Sequence, residues 1–388
     1  MSLIEPSRMS ASIPRSGIRE VFELANQLGN VIHLEIGQPD FDTSPDVIEA
    51  ACEALRDGAT RYTSNAGLQS LRETVASHVS ARFGQIVSAD RVVIAAGAVA
   101  ALHIAAAVTL DPGDEVLVPD PCWPNYLGMF AMVGACVVKY AQRPEDGMLP
   151  RLETLQSLVT PKTRAILVNT PANPTGAVVP AKLLSEILSF AKAHNLFVIS
   201  DEIYEDIVYD GQHASVLQYP YHDRCIYISG VSKGYAMTGF RLGYLVLPDH
   251  LVDGARAVVE ATFGCVTTVS QYAALAAIRD GGHVIAPNLA VYERRRAIVH
   301  EKLAGRILGE LGGAFYAMVE IGDYPEGSMQ FAKDLLVAKR VAVAPGITFG
   351  SDWDRAIRIS YAVEDTELIA GLVALVDFLN ADQKGADR

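Results

Sequence analysis

Ser229-Gly-Val-Ser-Lys233-Gly-Tyr-Ala-Met-Thr-Gly-Phe-Arg241-Leu-Gly243 places one lysine in a loop of small residues and an arginine shortly after it. The run feeding this loop, Cys225-Ile-Tyr-Ile-Ser229, is apolar, β-branched and aromatic, and so reads as a buried strand. Lys233 would then sit at the carboxyl edge of a sheet, where open α/β folds bind ligands. Lysine is the side chain that forms Schiff bases with carbonyl groups. Arg241 supplies a fixed positive charge for an anionic group on the same ligand.

The same strand-then-chemistry pattern recurs on both sides of this stretch. From about Arg91 to Leu247, short β-rich runs alternate with helical windows, which predicts a largely parallel sheet covered on both faces. The predicted strands are Val92–Ala96, Glu115–Val118, Cys136–Tyr140, Ala165–Val168, Phe197–Ser200, Cys225–Ser229 and Leu242–Leu247. Three of them run straight into polar motifs: Asp120-Pro-Cys-Trp123-Pro-Asn125, Asn169-Thr-Pro-Ala-Asn173-Pro-Thr-Gly176 and Asp201-Glu-Ile-Tyr204. A helix over Ala98–Leu110 starts directly after Gly97, aiming free N–H groups at an anion. Leu183, Leu184, Ile187 and Leu188 recur at helical spacing within Pro180–His194. Lysine, phosphate clamp, an acid for a ring nitrogen, a donor for a ring hydroxyl and an aromatic face together meet the needs of pyridoxal 5′-phosphate.

At these residues the chain resembles the class I/II aminotransferases, fold type I pyridoxal phosphate enzymes, and most the aspartate/aromatic subgroup with its SK-x-x-AMTG-x-R lysine loop. The resemblance runs from Leu34-Glu-Ile-Gly37-Gln-Pro-Asp-Phe41 to Arg358-Ile-Ser-Tyr-Ala362. It implies a large domain with a mostly parallel seven-stranded sheet in an α/β/α sandwich and a smaller mixed α/β domain. The last large-domain strand would run antiparallel to the rest. By the same resemblance Lys233 carries the cofactor and acts as base, Asp201 pairs the pyridine nitrogen, and Asn173 and Tyr204 contact the ring oxygen. Trp123 stacks on the ring, and Arg241 with the backbone of Gly97, Ala98 and Val99 holds the phosphate. Arg358 grips the substrate α-carboxylate and Gly37 lines that site, with Trp123 and Asn173 also facing the substrate. Tyr62 crosses to the phosphate of a neighbouring subunit, which implies a homodimer with shared sites.

Two departures stand out. Ala98 and Val99 occupy positions where many relatives have polar residues, so backbone amides must serve the phosphate. Gly230 stands where some relatives have serine, leaving Ser229 or Ser232 as substitutes.

Taken singly, each residue also has a bland reading. Asp201 could be a helix cap, Asp201-Glu202 a Walker-B-like acidic pair, Trp123 a packed loop residue, and Asn173-Pro-Thr-Gly176 a plain turn. No GxxxxGK[ST] or GxGxxG accompanies the acidic pair. Arg241 and Arg358 could be surface ion-pair residues. Their coincidence at the ends of successive strands carries the reading.

The remaining features bound the class. With 388 residues, 50% hydrophobic, there is material for a large and a small domain. The expected division is 1–45 as N-terminal arm and part of the small domain, 46–284 as the large domain, and 285–388 as the small C-terminal domain. Arg256–Arg279 reads as one or two helices, Pro287–Leu308 as a long connecting helix, and Gln383–Arg388 as a frayed polar tail. The net charge of −13 disfavours a nucleic-acid or anionic-membrane surface. Five cysteines without a CxxC pair read as reduced, mostly packed thiols. No HExxH or tight His/Cys cluster calls for a metal, and Met1–Glu5 does not open a signal segment, so a cytoplasmic enzyme is expected. Rival readings are a pyridoxal phosphate lyase or synthase on the same fold, and a non-enzymatic regulator. The regulator would need a DNA-binding domain, and no basic recognition helix precedes the motifs.

Overall fold

The computed structural model describes residues 7–13, 16–221 and 223–386. Met1–Glu5 and the last two residues of the expected tail lie outside them, while the tail as far as Ala386 continues the final helix, Asp365–Ala386. Twelve strands occur among the described residues. They are β1 (Ile32–His33), β2 (Val92–Ala95), β3 (Glu115–Asp120), β4 (Cys136–Ala141), β5 (Thr163–Asn169) and β6 (Phe197–Asp201). Then follow β7 (Cys225–Gly230), β8 (Gly243–Val246), β9 (Tyr316–Glu320), β10 (Val341–Ala342), β11 (Ala344–Pro345) and β12 (Ala356–Ser360).

Seven of these form one sheet in the order β2-β8-β7-β6-β5-β3-β4. The β3–β4, β3–β5, β5–β6 and β6–β7 pairs are parallel, whereas β8 runs antiparallel to both β2 and β7. Each central strand is apolar on both faces because both are covered. Ile166, Val168, Val198 and Tyr227 point into a layer with helices Gln69–Phe83, Ala181–Ala193 and Thr268–Asp280. Their neighbours Ala165, Leu167, Ile199, Ile226 and Ile228 point into the opposite layer with helices Ala98–Thr109 and Val252–Thr262. The alternation follows the two-residue period of a strand.

A smaller unit carries β9, β11 and β12 in an antiparallel sheet ordered β11-β12-β9, with β1 pairing in parallel with β10. Its core gathers Val21 and Leu34 from the N-terminal part with Phe315, Phe331, Ile357 and Leu372 from the C-terminal part. The segment expected as one or two helices is two, Val252–Thr262 and Thr268–Asp280. The connecting helix spans Ile285–Lys302 and stops short of Leu308, because Ile307 and Leu308 are captured at the edge of β9. Of the free cysteines, Cys122 and Cys225 are buried, Cys52 and Cys265 are half-buried, and Cys136 is exposed. No helix among the described residues is long and apolar enough to cross a membrane.

Candidate active site

The parallel strands deliver their following residues to one edge of the large sheet. Gly97 follows β2, Trp123 follows β3, Asn173 follows β5, Asp201 ends β6 and Lys233 lies just past β7. The small unit supplies Arg358 from the middle of β12 and Gly37 from the irregular segment after β1. The cleft therefore lies between the carboxyl edge of the large sheet and the small unit, as expected for an open α/β sheet.

Lys233 is half-buried, and its Nζ donates to the Gly37 carbonyl at 2.6 Å. The amine lies 5.7 Å from the Tyr204 ring and 5.8 Å from that of Phe315. Burial lowers its pKa, the charges of Arg358 and Arg241 lower it further, and Asp201 only partly offsets them, leaving it at about 8. About a tenth of the amine is thus neutral at pH 7, the form a nucleophile or base requires.

Asp201 is buried, and burial pushes its carboxyl up to about 6. Two donors work in the opposite direction: the Tyr126 hydroxyl at 2.6 Å from Oδ2 and the Ile203 amide at 3.3 Å from Oδ1. Trp123 is half-buried and meets the Tyr126 ring edge-on, with centroids 5.4 Å apart. Asn169 ties the ends of two strands together, its Nδ2 donating to the Asp201 carbonyl at 3.0 Å and its Oδ1 accepting the Asn173 amide at 2.8 Å.

Arg358 is buried between the rings of Tyr316 and Phe349, its guanidinium carbon 4.5 and 5.1 Å from their centroids. Nη1 donates to Asn173 Oδ1 at 3.0 Å, Nη2 donates to the Glu35 carbonyl, and Nε has no partner among the described residues. Tyr316 also bonds the Tyr204 hydroxyl at 2.7 Å. It crowds Gly37 so closely that a Cβ there would overlap its hydroxyl.

At the other end of the cleft, helix Ala98–Thr109 begins with Gly97 at φ +85°. A Cβ on Gly97 would come within 2.7 Å of Arg241 Nη2, so the missing side chain lets the guanidinium approach the helix start. The first-turn amides of Ala98 and Val99 have no intrahelical acceptor and point the same way. Ser229 is turned elsewhere, its hydroxyl donating to Glu205 Oε1 at 2.6 Å, whereas Ser232 is buried in the lysine loop. Tyr62 contacts none of these groups. It is 95% exposed on a loop pinned by Thr268 and Gln271, which bond Arg61 and Thr63.

Sequence reasoning missed Tyr126, Tyr316, Phe315 and the Glu35 carbonyl, whose parts depend on contacts made only in the folded chain. It also missed a buried polar group under the sheet edge. His213 Nε2 meets Glu202 Oε2 at 2.7 Å, Ser200 and the Val216 amide bond Glu202, and Tyr227 with Ser229 bond Glu205. The chain shows no His/Cys cluster, yet folding draws Glu202, Glu205 and His213 together, because strand ends and a following loop converge here.

Comparison with known proteins finds relatives along nearly the whole chain. The family described as aminotransferase class I and II matches residues 29–375. A putative aminotransferase of Bacillus subtilis, YugH, is 38% identical over 372 residues, covering 95% of this chain and 96% of that protein. An aspartate aminotransferase of Thermotoga maritima is 35% identical over 384 residues, covering 97% of this chain and 99% of that one. The solved structure of Thermus thermophilus aspartate aminotransferase with maleate is 32% identical. It superposes with a TM-score of 0.92, covering 97% of this chain and all of that one.

Proposed function

Because the chain belongs to the class I and II aminotransferases, in the aspartate/aromatic aminotransferase-like subgroup, we propose that Lys233 carries pyridoxal 5′-phosphate and that the cleft moves an amino group from an L-amino acid to a 2-oxo acid. The residues present fit that cofactor. Gly97 leaves room for Arg241 beside the amide-lined start of helix Ala98–Thr109, an anion seat suited to a phosphate. Asp201 offers a buried carboxylate for a ring nitrogen, and Asn173 and Tyr204 offer polar atoms for a ring oxygen. Trp123 offers an aromatic face. When bound, the cofactor supplies the carbonyl carbon that accepts the amino group and a ring that takes up the electron pair left by the departing α-proton.

The chain's own residues then have separate tasks. Arg358, held between two rings, grips the carboxylate shared by amino acid and 2-oxo acid, so one seat serves both halves of a ping-pong cycle. Lys233, with a pKa near 8, takes the proton from the substrate α-carbon and returns it in the reverse half. Asp201 stays ionised opposite a pyridinium because Tyr126 and the Ile203 amide bond its charged form. The exposure of Tyr62 on a pinned loop supports a part for it in a second subunit's phosphate seat, and so a homodimer with shared sites as the active form.

The observation that carries this reading is the meeting, in one cleft, of a lysine depressed to about 8 with a buried arginine and a buried carboxylate. The test is a half-reaction with amino acid alone and, on a separate sample to which no amino acid is added, borohydride reduction and peptide mapping. One equivalent of 2-oxo acid per site, no ammonia, and a pyridoxyl group on Lys233 are expected. Catalytic ammonia release would mean elimination chemistry instead, and a label on another lysine would overturn the assignment.

A further inference from the structure

Residues 35–44 cross the cleft with no helix or strand of their own. Their start is fixed to the small unit, where the Leu34 amide donates to the Ala342 carbonyl at 3.0 Å and the Leu34 carbonyl accepts the Ser360 amide at 2.7 Å. Their end is fixed to the lysine loop, where Thr43 Oγ1 donates to the Ala236 carbonyl at 2.8 Å. Between these anchors the segment offers the Glu35 carbonyl to Arg358 and the Gly37 carbonyl to Lys233. Two of the proposed functional side chains thus take their hydrogen-bond acceptors from a strap without a backbone ladder.

What fixes the strap between those anchors is Arg295. Its side chain is 4% exposed, and Nη1 and Nη2 donate in parallel to the two oxygens of Asp40, each at 2.7 Å. Nε donates to Asp365 Oδ1 at 2.8 Å, at the first residue of helix Asp365–Ala386. The guanidinium also lies 5.6 Å from the Phe41 ring. Phe41 packs edge-on against Tyr292 at 5.2 Å, and Tyr292 against Phe315 at 5.2 Å, the ring beneath the Lys233 amine. A two-pronged pair between a buried arginine and a carboxylate is directional, and lysine cannot reproduce it. We infer that Arg295 is a positioning residue that acts through Asp40 and Phe41 to hold the strap, and so the Gly37 and Glu35 carbonyls, against Lys233 and Arg358. Its neighbour Arg294 also bonds Asp365 but has no bond to Asp40, which makes it a matched control.

This inference rests on the roles proposed above for Lys233 and Arg358, so its test has a part independent of them. In Arg295→Ala, chymotrypsin should cut after Phe41 at least about tenfold faster than in the native protein, with or without cofactor, while Arg294→Ala should match the native protein. In the holoenzyme, kcat/KM for amino acid and for 2-oxo acid should fall together by about ten- to a hundredfold, the scale of a displaced active-site group. Added guanidinium chloride at sub-denaturing concentration should restore part of it to Arg295→Ala only. If Arg295→Ala does not fold, Arg295→Lys should show the same local cleavage without rescue by being conservative. Unchanged cleavage at Phe41, or equal effects from Arg294→Ala, would overturn the inference. A native protein that transfers no amino group would instead strike the proposed function and leave the cleavage result standing.

Discussion

Replacing Tyr126 by phenylalanine removes one hydroxyl from the molecule and keeps the ring that packs edge-on against Trp123. That hydroxyl is buried and donates at 2.6 Å to Asp201 Oδ2. Asp201 already stands at about 6, raised by burial and restrained by this bond. A hydrogen bond to a charged group is worth about 1.5–3 kcal/mol. At about 1.36 kcal/mol per pKa unit, its loss raises Asp201 by roughly one to two units more. The direction follows from the removal of a donor to the ionised form, with burial left unopposed. At pH 7 the ionised fraction in the cofactor-free protein should drop from about nine-tenths to half or less. Infrared difference spectra should show a protonated carboxyl band near neutral pH in Tyr126→Phe, absent when Asp201 is also replaced by asparagine. In the holoenzyme the proposed partnership with a protonated ring nitrogen would lower both starting values, yet the acidic limb of kcat/KM should still move upward in pH. A limb that stays in place or moves down, with the protein folded, would refute the idea that Tyr126 keeps Asp201 ionised.

Three further outcomes are expected. Arg358→Lys should lower kcat/KM for amino acid and 2-oxo acid alike by about 10- to 150-fold, corresponding to a lost charge-assisted contact of about 1.5–3 kcal/mol; steady-state kinetics of both halves would show otherwise if Arg358 only supports packing. In cofactor-free protein, competitive acylation followed by mass spectrometry should give Lys233 a midpoint near 8, because its neutral form is favoured below the ordinary lysine value. Arg358→Leu should move that midpoint upward by removing a neighbouring positive charge, and a native midpoint near 10.5 would contradict the electrostatic picture. Tyr62→Phe should loosen the cofactor, and mixing it with Lys233→Ala should yield hybrid dimers in which one site gathers both defects and activity partly returns. A fully active monomer in sedimentation at assay concentration would count against shared sites.

The positions of the strands along the chain and of the chemistry at their ends were legible because both depend on short-range pattern. A strand buried on both faces shows as a continuous apolar run, and a ligand-binding edge shows as a polar motif where such a run stops. That is why Asp201, Asn173, Trp123, Gly97 and Lys233 could be placed on one edge, whereas the antiparallel direction of β8 was expected only from the family resemblance. Element ends were less legible: nothing local in Leu303–Leu308 announces that β9 will capture Ile307 and Leu308 from the preceding helix. Partners distant in sequence were not legible at all. Tyr126 reaches Asp201 across 75 positions, Tyr204 reaches Tyr316 across 112, and Arg358 reaches Asn173 across 185. The last two pairs join the edge of the large sheet to the small unit, whereas Tyr126 and Asp201 meet within the large unit, and the periodicity of either partner carries no trace of such long-range contacts. The low pKa of Lys233 and the high one of Asp201 belong to the same category, since both arise from burial, and burial exists only once the chain has folded.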